Sequence, residues 1–297
     1  MARLLRIWLL AIRPASLTAA LVPVLVGTAV VADERFRGGL FAMALAGSLV
    51  IQAGTNLVND FFDHVQGIDT ADTPGPSGAI QRGLLSPGAV LAGGIALFAV
   101  GAALGLTITA IVGWPVLALG VASVLAGFFY TAPPLKLAYR AMGEATVFVF
   151  MGIVIVIGAA YVQVEAWTWE AFLASLPVAL LVAAILHANN LRDIEEDRAH
   201  GKLTLATMLG RPAADFELAA LVLGAYIAAA ALAASGGAPL TSLVAFASLP
   251  LALALLRAMS RSRSTAALNR VLGGSAGLHL LFGLLWAMGF ALEAWMG

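Results

Sequence analysis

The chain consists of long apolar stretches separated by short polar segments. A helix crosses a bilayer with about twenty predominantly apolar residues, and several stretches approach that length. The nine predicted spans are residues about 14–32, 40–58, 88–111, 115–132, 144–163, 172–190, 213–235, 239–257 and 272–295. We therefore predict an all-α membrane protein in which residues 1–297 form a single transmembrane domain.

The composition agrees with this prediction. Apolar residues make up 61% and charged residues 11% of the chain, whereas soluble domains have about 45–50% and about 25%. There is no cysteine, which excludes disulfides and cysteine-ligated metals. Arg3 and Arg6 precede the first apolar run, but Arg13-Pro14 interrupts it and no small-residue cleavage site stands out. We expect a helix of the mature protein here and not a signal peptide.

The distribution of Lys and Arg predicts the orientation of the spans. Only Arg35 and Arg37 lie on the side opposite the N-terminus. The N-terminal side carries Arg3, Arg6, Arg13, Arg82, Lys136, Arg140, Arg192, Arg198, Lys202, Arg211, Arg257, Arg261, Arg263 and Arg270. Because basic residues concentrate in cytoplasmic loops, we predict a cytoplasmic N-terminus and a C-terminus on the far side.

Two acidic clusters interrupt the apolar pattern, one at residues 59–63 and one at residues 193–197. Both fall on the predicted cytoplasmic side, after amide-rich helix ends. Carboxylates at the edge of a bilayer are costly, so they need a compensating cation or a function. Spacings of three and four residues put both carboxylates of a pair on one helical face. A single such Asp is usually a solvated cap or a charge pair, but two matched pairs indicate a site for divalent cations and, through them, a pyrophosphate.

The longest polar segments are also on the cytoplasmic side, at residues 59–87 and 191–212. Binding groups concentrate on loops held by a rigid scaffold, so we predict the working surface there. The Gly-rich stretch 73–78 lacks the strand-to-helix context of a phosphate-binding loop and is interpreted as a flexible cap over the site. His187 and His279 lie in apolar runs and are expected to be hydrogen-bonded interior residues. His187 has the stronger claim to function because it lies three residues before Asn190.

These motifs resemble the signatures of the UbiA superfamily of intramembrane prenyltransferases. The segment Tyr-Thr-x-Pro-Pro-x-Lys at 130–136 also resembles a loop of that family. The residues that match the two acidic signatures are Asn59, Asp60, Asp63 and Asp69, and Asn190, Arg192, Asp193 and Asp197. The resemblance implies nine transmembrane helices around a central cavity. It also implies Mg²⁺-dependent transfer of a polyprenyl group from an allylic polyprenyl diphosphate to an aromatic acceptor.

Within the superfamily, the chain resembles the branch that prenylates 1,4-dihydroxy-2-naphthoate in menaquinone biosynthesis. Residues 13–18, 52–60, 143–144, 190–195 and 201–206 carry this resemblance. It implies that acceptor, with loss of its carboxyl group. That branch usually has basic residues around a Gly-Pro in the loop after the second span, where this chain has Thr73 and Gly78. Arg82 is the candidate substitute.

The resemblance also implies roles for individual residues. The expected metal ligands are Asp60, Asp63, Asp193 and Asp197. The expected supporting ligands or orienting groups are Asn56, Asn59 and Asn190, with Asp69 a further candidate. The candidates for contact with the diphosphate are Arg13, Arg82, Lys136, Arg140, Arg192 and Lys202. The candidates for deprotonating the acceptor are Asp69 and Tyr139. The bilayer is an expected partner and nucleic acid is not.

Three alternatives remain open on the sequence. A UbiA-type enzyme for another acceptor (4-hydroxybenzoate, homogentisate, a chlorophyllide, haem or a glyceryl phosphate) would keep both acidic clusters and differ in its pocket. A membrane transporter with an acidic cation site would more often carry charge near mid-membrane. A CDP-alcohol phosphotransferase would carry its acidic signature in one continuous segment.

Overall fold

The computed structural model describes residues 2–70, 77–261 and 264–296, and these residues are organised as helices joined by short connections. The α-helices are α1 (Ala2–Ala11), α2 (Thr18–Val30), α3 (Gly38–Val65), α4 (Pro87–Val112), α5 (Trp114–Phe129), α6 (Gly143–Val147), α7 (Ile155–Val164), α8 (Trp169–Arg192), α9 (Ile194–Ala199), α10 (Leu205–Leu209), α11 (Arg211–Ser235), α12 (Leu249–Arg261) and α13 (Thr265–Met296). A π-helix, Phe148–Val154, joins α6 to α7, and 3₁₀ helices cover Pro14–Leu17, Leu137–Tyr139 and Leu240–Ser248.

Seven helical segments in the described ranges are long and apolar enough to cross a membrane. They are Gly38–Val65, Pro87–Val112, Gly143–Val164, Trp169–Arg192, Arg211–Ser235, Leu240–Ser260 and Ala266–Met296. Arg3–Ala11 and Pro14–Val30, which are bent by 53°, make an eighth if they count as one span. All nine predicted stretches coincide with helices, but the count of nine spans is not confirmed. The reason is that α5, at 16 residues, reaches only about 24 Å across a hydrocarbon core of about 30 Å.

A bend separates α1, the helix expected before Arg13-Pro14, from α2. Arg13 adopts a left-handed conformation (φ 55°, ψ 72°), which is uncommon for a residue other than glycine. Pro14 then begins the short 3₁₀ helix, where its missing N–H costs nothing. Leu4 and Leu5 on α1 are exposed. The bend turns the Arg13 side chain towards α3.

The two acidic clusters differ in their local structure. We predicted the second span to end near residue 58, whereas α3 continues to Val65 and carries Asp60 and Asp63 on its last turns. In contrast, α8 ends at Arg192 and Asp193 is the junction to α9. The first pair of carboxylates is therefore held on a continuous helix, and the second lies at a helix break.

The largest apolar core lies between α2, α8, α11, α12 and α13. It contains Val22, Leu181, Leu218 and Phe282, and the buried Trp286 donates its indole N–H to the carbonyl of Ala174 at 3.1 Å. Elsewhere the helices approach closely at small residues, as is usual for helix packing in membranes. This packing fixes α3 and α8, the helices that carry the acidic clusters, on opposite walls of one cavity.

Candidate active site

A cavity of about 760 Å³ lies between the acidic clusters and brings most of the predicted site residues together. Its walls come from the α1–α2 bend, α3, the end of α5, α8, α9 and α13. The predicted residues that line it are Arg13, Asn56, Asn59, Asp63, Asp69, Arg82, Asn190, Arg192, Asp193, Asp197 and Lys202. Four predicted residues are not among the lining residues, namely Asp60, Lys136, Tyr139 and Arg140. Residues of both acidic clusters therefore line the same cavity.

Asp60 is buried beside the cavity and already has two partners. Its carboxylate forms an ion pair with the Arg13 guanidinium through Oδ1 and accepts a hydrogen bond from the Ser77 hydroxyl through Oδ2. Ser77 and Gly78 are the described residues of the predicted cap, and they are buried. Thr73 and the rest of the stretch 73–76 lie outside the described residues.

Asp63, one turn after Asp60, faces the cavity. Its Oδ1 accepts a hydrogen bond from the Tyr139 hydroxyl. The chain then folds back, so that the Asp69 N–H donates to the carbonyl of Asp63 at 3.3 Å. Burial, followed by the negative charge of Asp63, raises the pKa of Asp69 to about 7. This crowding of carboxylates favours the binding of a cation.

The second cluster is held by two basic side chains. Arg192 grips Asp193 with two hydrogen bonds, Nε to Oδ1 at 2.5 Å and Nη2 to Oδ2 at 2.6 Å. Lys202 Nζ lies 3.1 Å from Oδ1 of Asp197. Burial nevertheless raises the pKa of Asp197 to about 6, and the charges of Asp193 and Asp63 act in the same direction. The two clusters are thus close enough to repel each other.

Tyr139 connects the two clusters from behind the cavity wall. Its hydroxyl bonds to Asp63, and Lys202 Nζ lies 5.5 Å from the centroid of its ring. Burial and the charge of Asp63 hold the Tyr139 pKa far above its ordinary value. Lys136 Nζ lies 6.0 Å from the same ring centroid, and the exposed Arg140 donates to the carbonyl of Pro134 at 3.2 Å. Lys136, Tyr139 and Arg140 thus do not line the cavity, and of the three only Tyr139 contacts one of its carboxylates.

The amide side chains of the cavity are also committed to partners. Asn56 donates to the carbonyl of Ile12 and to the Ser16 hydroxyl, each at 2.8 Å, and so holds the α1–α2 bend. Asn59 accepts a hydrogen bond from the Thr131 hydroxyl at 2.9 Å. In both residues the side chain reaches from α3 to another segment of the wall.

The site also contains residues outside the predicted set, and two of them, Asn269 and Glu144, come from helices that carry neither acidic cluster. Asn269 of α13 accepts a hydrogen bond from Arg192 Nη1 at 3.2 Å and lines the cavity. Glu144 of α6 is buried and accepts a hydrogen bond from Asn190 Nδ2 at 2.9 Å. The only sequence signal for Glu144 is the Gly143-Glu144 pair, and for Asn269 there is none.

The oxygen donors suit a hard cation such as Mg²⁺, although the protein groups do not form a closed ligand set. No group of three or more His, Cys, Asp or Glu side chains able to hold a metal occurs within the described ranges. Oδ2 of Asp197 is buried and has no hydrogen-bond partner in the described part of the chain. Such an orphaned carboxylate oxygen, close to the negative charges of Asp63 and Asp193, fits a cation that also takes ligands from a substrate.

A second, apolar cavity of about 460 Å³ adjoins the polar one. It lies between α3, α4, α5 and the helical segment 143–164. The two cavities share the lining residues Gln52, Thr55, Tyr130, Val147 and Met151. A ligand with a charged head and an apolar tail could therefore occupy both.

Comparison with known proteins decides the family. The UbiA prenyltransferase family matches residues 20–282. The chain belongs to the UbiA prenyltransferase family. It is 34% identical over 283 residues to the 1,4-dihydroxy-2-naphthoate octaprenyltransferase of Bacillus subtilis, covering 95% of this chain and 91% of that protein. It is 30% identical to the protein of the same name in Escherichia coli, covering 97% of this chain and 96% of the relative.

Solved structures of UbiA homologues share the fold. One is a homologue from Archaeoglobus fulgidus bound to GPP and Mg²⁺, which superimposes with a TM-score of 0.64 at 16% identity over 95% of this chain and 99% of that one. The predicted family and the predicted all-α UbiA-like fold are thus confirmed. The protein is an integral, multi-pass membrane prenyltransferase.

Proposed function

We propose that the protein transfers a polyprenyl group from an allylic polyprenyl diphosphate to 1,4-dihydroxy-2-naphthoate, with loss of the acceptor's carboxyl group, in menaquinone biosynthesis. The observation that carries the reaction is the junction of two cavities, one lined by carboxylates and cations and the other apolar. The acceptor is supported by the relatives from Bacillus subtilis and Escherichia coli, whose names specify it and whose similarity extends over nearly the whole chain.

The diphosphate would lie in the polar cavity. Arg82, which lines the cavity and is exposed, is available for direct contact with phosphate oxygens. Arg192 and Lys202 are held in place by Asp193 and Asp197, so they can share their remaining N–H donors with the ligand. Together these cations would stabilise the negative charge that develops on the departing pyrophosphate.

Magnesium ions would be held by Asp63, Asp193 and Asp197 together with phosphate oxygens, and would neutralise charge on the leaving group when bound. Asp60 belongs to the proposed set because it lies one turn before Asp63 on the same helix. In this structure its carboxylate is shared between Arg13 and Ser77. Asn59 and Asn190 are proposed as supporting oxygen donors.

The isoprenoid tail would lie in the apolar cavity, with the allylic carbon near the shared wall. Tyr130 belongs to that wall, and an aromatic face beside a developing cation is stabilising. The lining of this cavity is mostly apolar, which would disfavour water that could intercept the cation. The electron-rich ring of the acceptor would attack from the polar side.

We also propose nine membrane spans, in which α2, together with the 3₁₀ helix before it, and α5 complete the seven long segments. The N-terminus and the active site would then be cytoplasmic, and the C-terminus would lie on the far side. The Lys and Arg residues at the cavity end of the bundle support this orientation. At the opposite end, Arg37 is paired with Glu165 at 2.5 Å.

The test is an assay of the purified protein with Mg²⁺, radiolabelled polyprenyl diphosphates and a panel of aromatic acceptors. We expect transfer to 1,4-dihydroxy-2-naphthoate, its loss with a chelator, and its loss in Asp60→Asn and in Asp193→Asn. Full activity in both variants, or with the chelator present, would contradict the metal–diphosphate site. Preferential use of another acceptor would be consistent with prenyl transfer but would contradict 1,4-dihydroxy-2-naphthoate as the acceptor.

A further inference from the structure

A buried polar network lies directly behind the cavity wall, where α6, α8 and α11 meet. Glu144 is 5% exposed and His187 is fully buried. His187 Nδ1 lies 3.2 Å from Oε1 of Glu144 and 3.6 Å from Oε2 of Glu217. His187 Nε2 lies 2.9 Å from the carbonyl oxygen of Ala214. The same Oε1 of Glu144 accepts the hydrogen bond from Asn190 Nδ2 at 2.9 Å.

The chemistry of these contacts determines where the protons are. A backbone carbonyl can only accept, so Nε2 of His187 must carry a proton and donate to Ala214. Two carboxyl groups face Nδ1, at 3.2 and 3.6 Å, so we assign a second proton to it, which makes His187 an imidazolium between Glu144 and Glu217. The imidazolium keeps Glu144 ionised in a buried position, where an unpaired carboxylate would be costly.

An ionised Glu144 has one consequence for the cavity. A carboxylate only accepts hydrogen bonds, so the amide of Asn190 must turn its N–H₂ group towards Glu144. The Asn190 carbonyl oxygen, Oδ1, is then available to a ligand in the cavity that Asn190 lines. The two ends of an asparagine amide are nearly equal in shape, and only the hydrogen-bond network selects between them.

We propose that Glu144, held by His187, is a positioning residue that presents the Asn190 Oδ1 oxygen to the metal–diphosphate complex. The inference rests on the proposed function. Glu144 does not touch the ligand itself; it prevents Asn190 from offering an N–H₂ group, which a cation would repel. Outer groups that orient a ligand in this way typically change metal affinity or activity by about 10–100-fold when removed.

The test compares Glu144→Ala with Glu144→Gln in purified protein. The readout is Mn²⁺ binding in the presence of inorganic pyrophosphate, followed by electron paramagnetic resonance, because this does not depend on turnover. We expect Glu144→Ala to weaken Mn²⁺ binding by about 10-fold or more. Glu144→Gln should bind nearly as well as the wild type. A Gln carbonyl oxygen in the place of Oε1 can accept from both Asn190 Nδ2 and the protonated Nδ1 of His187, while Glu217 remains as the counter-ion of the ring.

A double-mutant cycle separates positioning from a structural role. Asn190→Ala should weaken Mn²⁺ binding, and adding Glu144→Ala to it should cause no further loss, because the orientation of a missing amide cannot matter. Losses that multiply in the double variant, or a Glu144→Ala protein that binds like the wild type, would overturn the inference. If Glu144→Ala does not fold, Glu144→Leu replaces it, since His187 retains Glu217 as its counter-ion.

The wild-type protein distinguishes this inference from the proposed function. If the wild type binds no Mn²⁺ with pyrophosphate, the metal–diphosphate site itself is wrong. If the wild type binds Mn²⁺ with pyrophosphate and Glu144→Ala binds it equally well, only the positioning role of Glu144 is wrong. Thermal unfolding of each variant in the same detergent shows whether it is folded.

Discussion

The hydroxyl of Tyr139 donates a hydrogen bond to the carboxylate of Asp63, across 76 residues of sequence. A phenol that donates to a carboxylate and has its pKa raised by burial is a poor base. We therefore propose that Tyr139 orients Asp63 and does not deprotonate the acceptor, which is the role predicted for it from the sequence.

Tyr139→Phe tests this orientation. The variant removes one hydrogen bond to a charged group, which is worth about 1.5–3 kcal/mol, so kcat/KM should fall by about 10- to 150-fold. The loss should appear in the Mg²⁺ dependence as well as in the rate. An activity that falls to the background level with unchanged Mg²⁺ dependence would instead support a direct chemical role.

Asp197 and Glu195 provide a matched pair in one acidic cluster. Asp197 is buried at the cavity and paired with Lys202, whereas the Glu195 side chain is 89% exposed. Asp197→Asn should lower prenyl transfer by on the order of 10²-fold, because a charged ligand for the cation is lost. Glu195→Gln should leave the rate unchanged in the same assay. Equal effects would mean that the cluster acts only through its total charge.

The apolar cavity predicts a steric effect on the length of the prenyl chain. A Cβ atom added at Gly120 would meet nothing within 4 Å, because it would project into this cavity. Gly120→Leu should therefore reduce transfer from a long polyprenyl diphosphate by about tenfold relative to geranyl diphosphate. This corresponds to about 1.4 kcal/mol of lost tail binding.

Gly88→Leu is the control for this experiment. Gly88 is also free of neighbours within 4 Å, but it lies on the exposed first turn of α4. The control should keep the wild-type preference for chain length. A shift in preference with Gly88→Leu, or none with Gly120→Leu, would show that the tail lies elsewhere.

The two buried histidines should respond in opposite ways to replacement by leucine. His279 is fully buried, and neither of its ring nitrogens has a hydrogen-bond partner within the described residues; the predicted hydrogen bonding is therefore wrong for His279 and confirmed for His187. His279→Leu should raise the free energy of unfolding by about 1 kcal/mol, because an unsatisfied polar group is removed.

His187→Leu should lower the free energy of unfolding by about 3 kcal/mol or more, because Glu144 would remain as a buried charge without its counter-ion. Thermal unfolding of both variants in one detergent measures the difference. A lower melting temperature for His279→Leu would indicate that the ring makes contacts that its unpartnered nitrogens do not reveal.

Hydropathy predicts the helices of this protein well where an apolar run ends in a turn residue. The span predicted at 88–111 is α4 (Pro87–Val112) almost residue for residue, since Pro87 and Gly113 bracket it. Hydropathy does not predict the end of α3, where Asp60 and Asp63 are still helical. Asp60 forms an ion pair with Arg13, and Asp63 accepts a hydrogen bond from Tyr139. Those partners come from distant segments, so no local pattern reveals them.

The residues of the candidate site likewise fall into those that the sequence predicts and those that it does not. The acidic motifs predict which side chains meet, because each motif lies at one end of a long helix. Asn269 and Glu144 could not be found in this way. Their relevant contacts, to Arg192 and Asn190, join residues 77 and 46 positions apart and depend on how the helices pack.

The shared wall of the two cavities has a consequence for what happens after the reaction. The proposed products have opposite solubilities, a pyrophosphate anion and a quinol precursor with a long hydrocarbon chain. The polar cavity, with Arg82 exposed at its edge, offers the anion a route to water, and the apolar cavity between α4 and α5 keeps the chain beside the acyl layer. The pyrophosphate could thus leave into water and the prenylated product into the bilayer, through separate cavities.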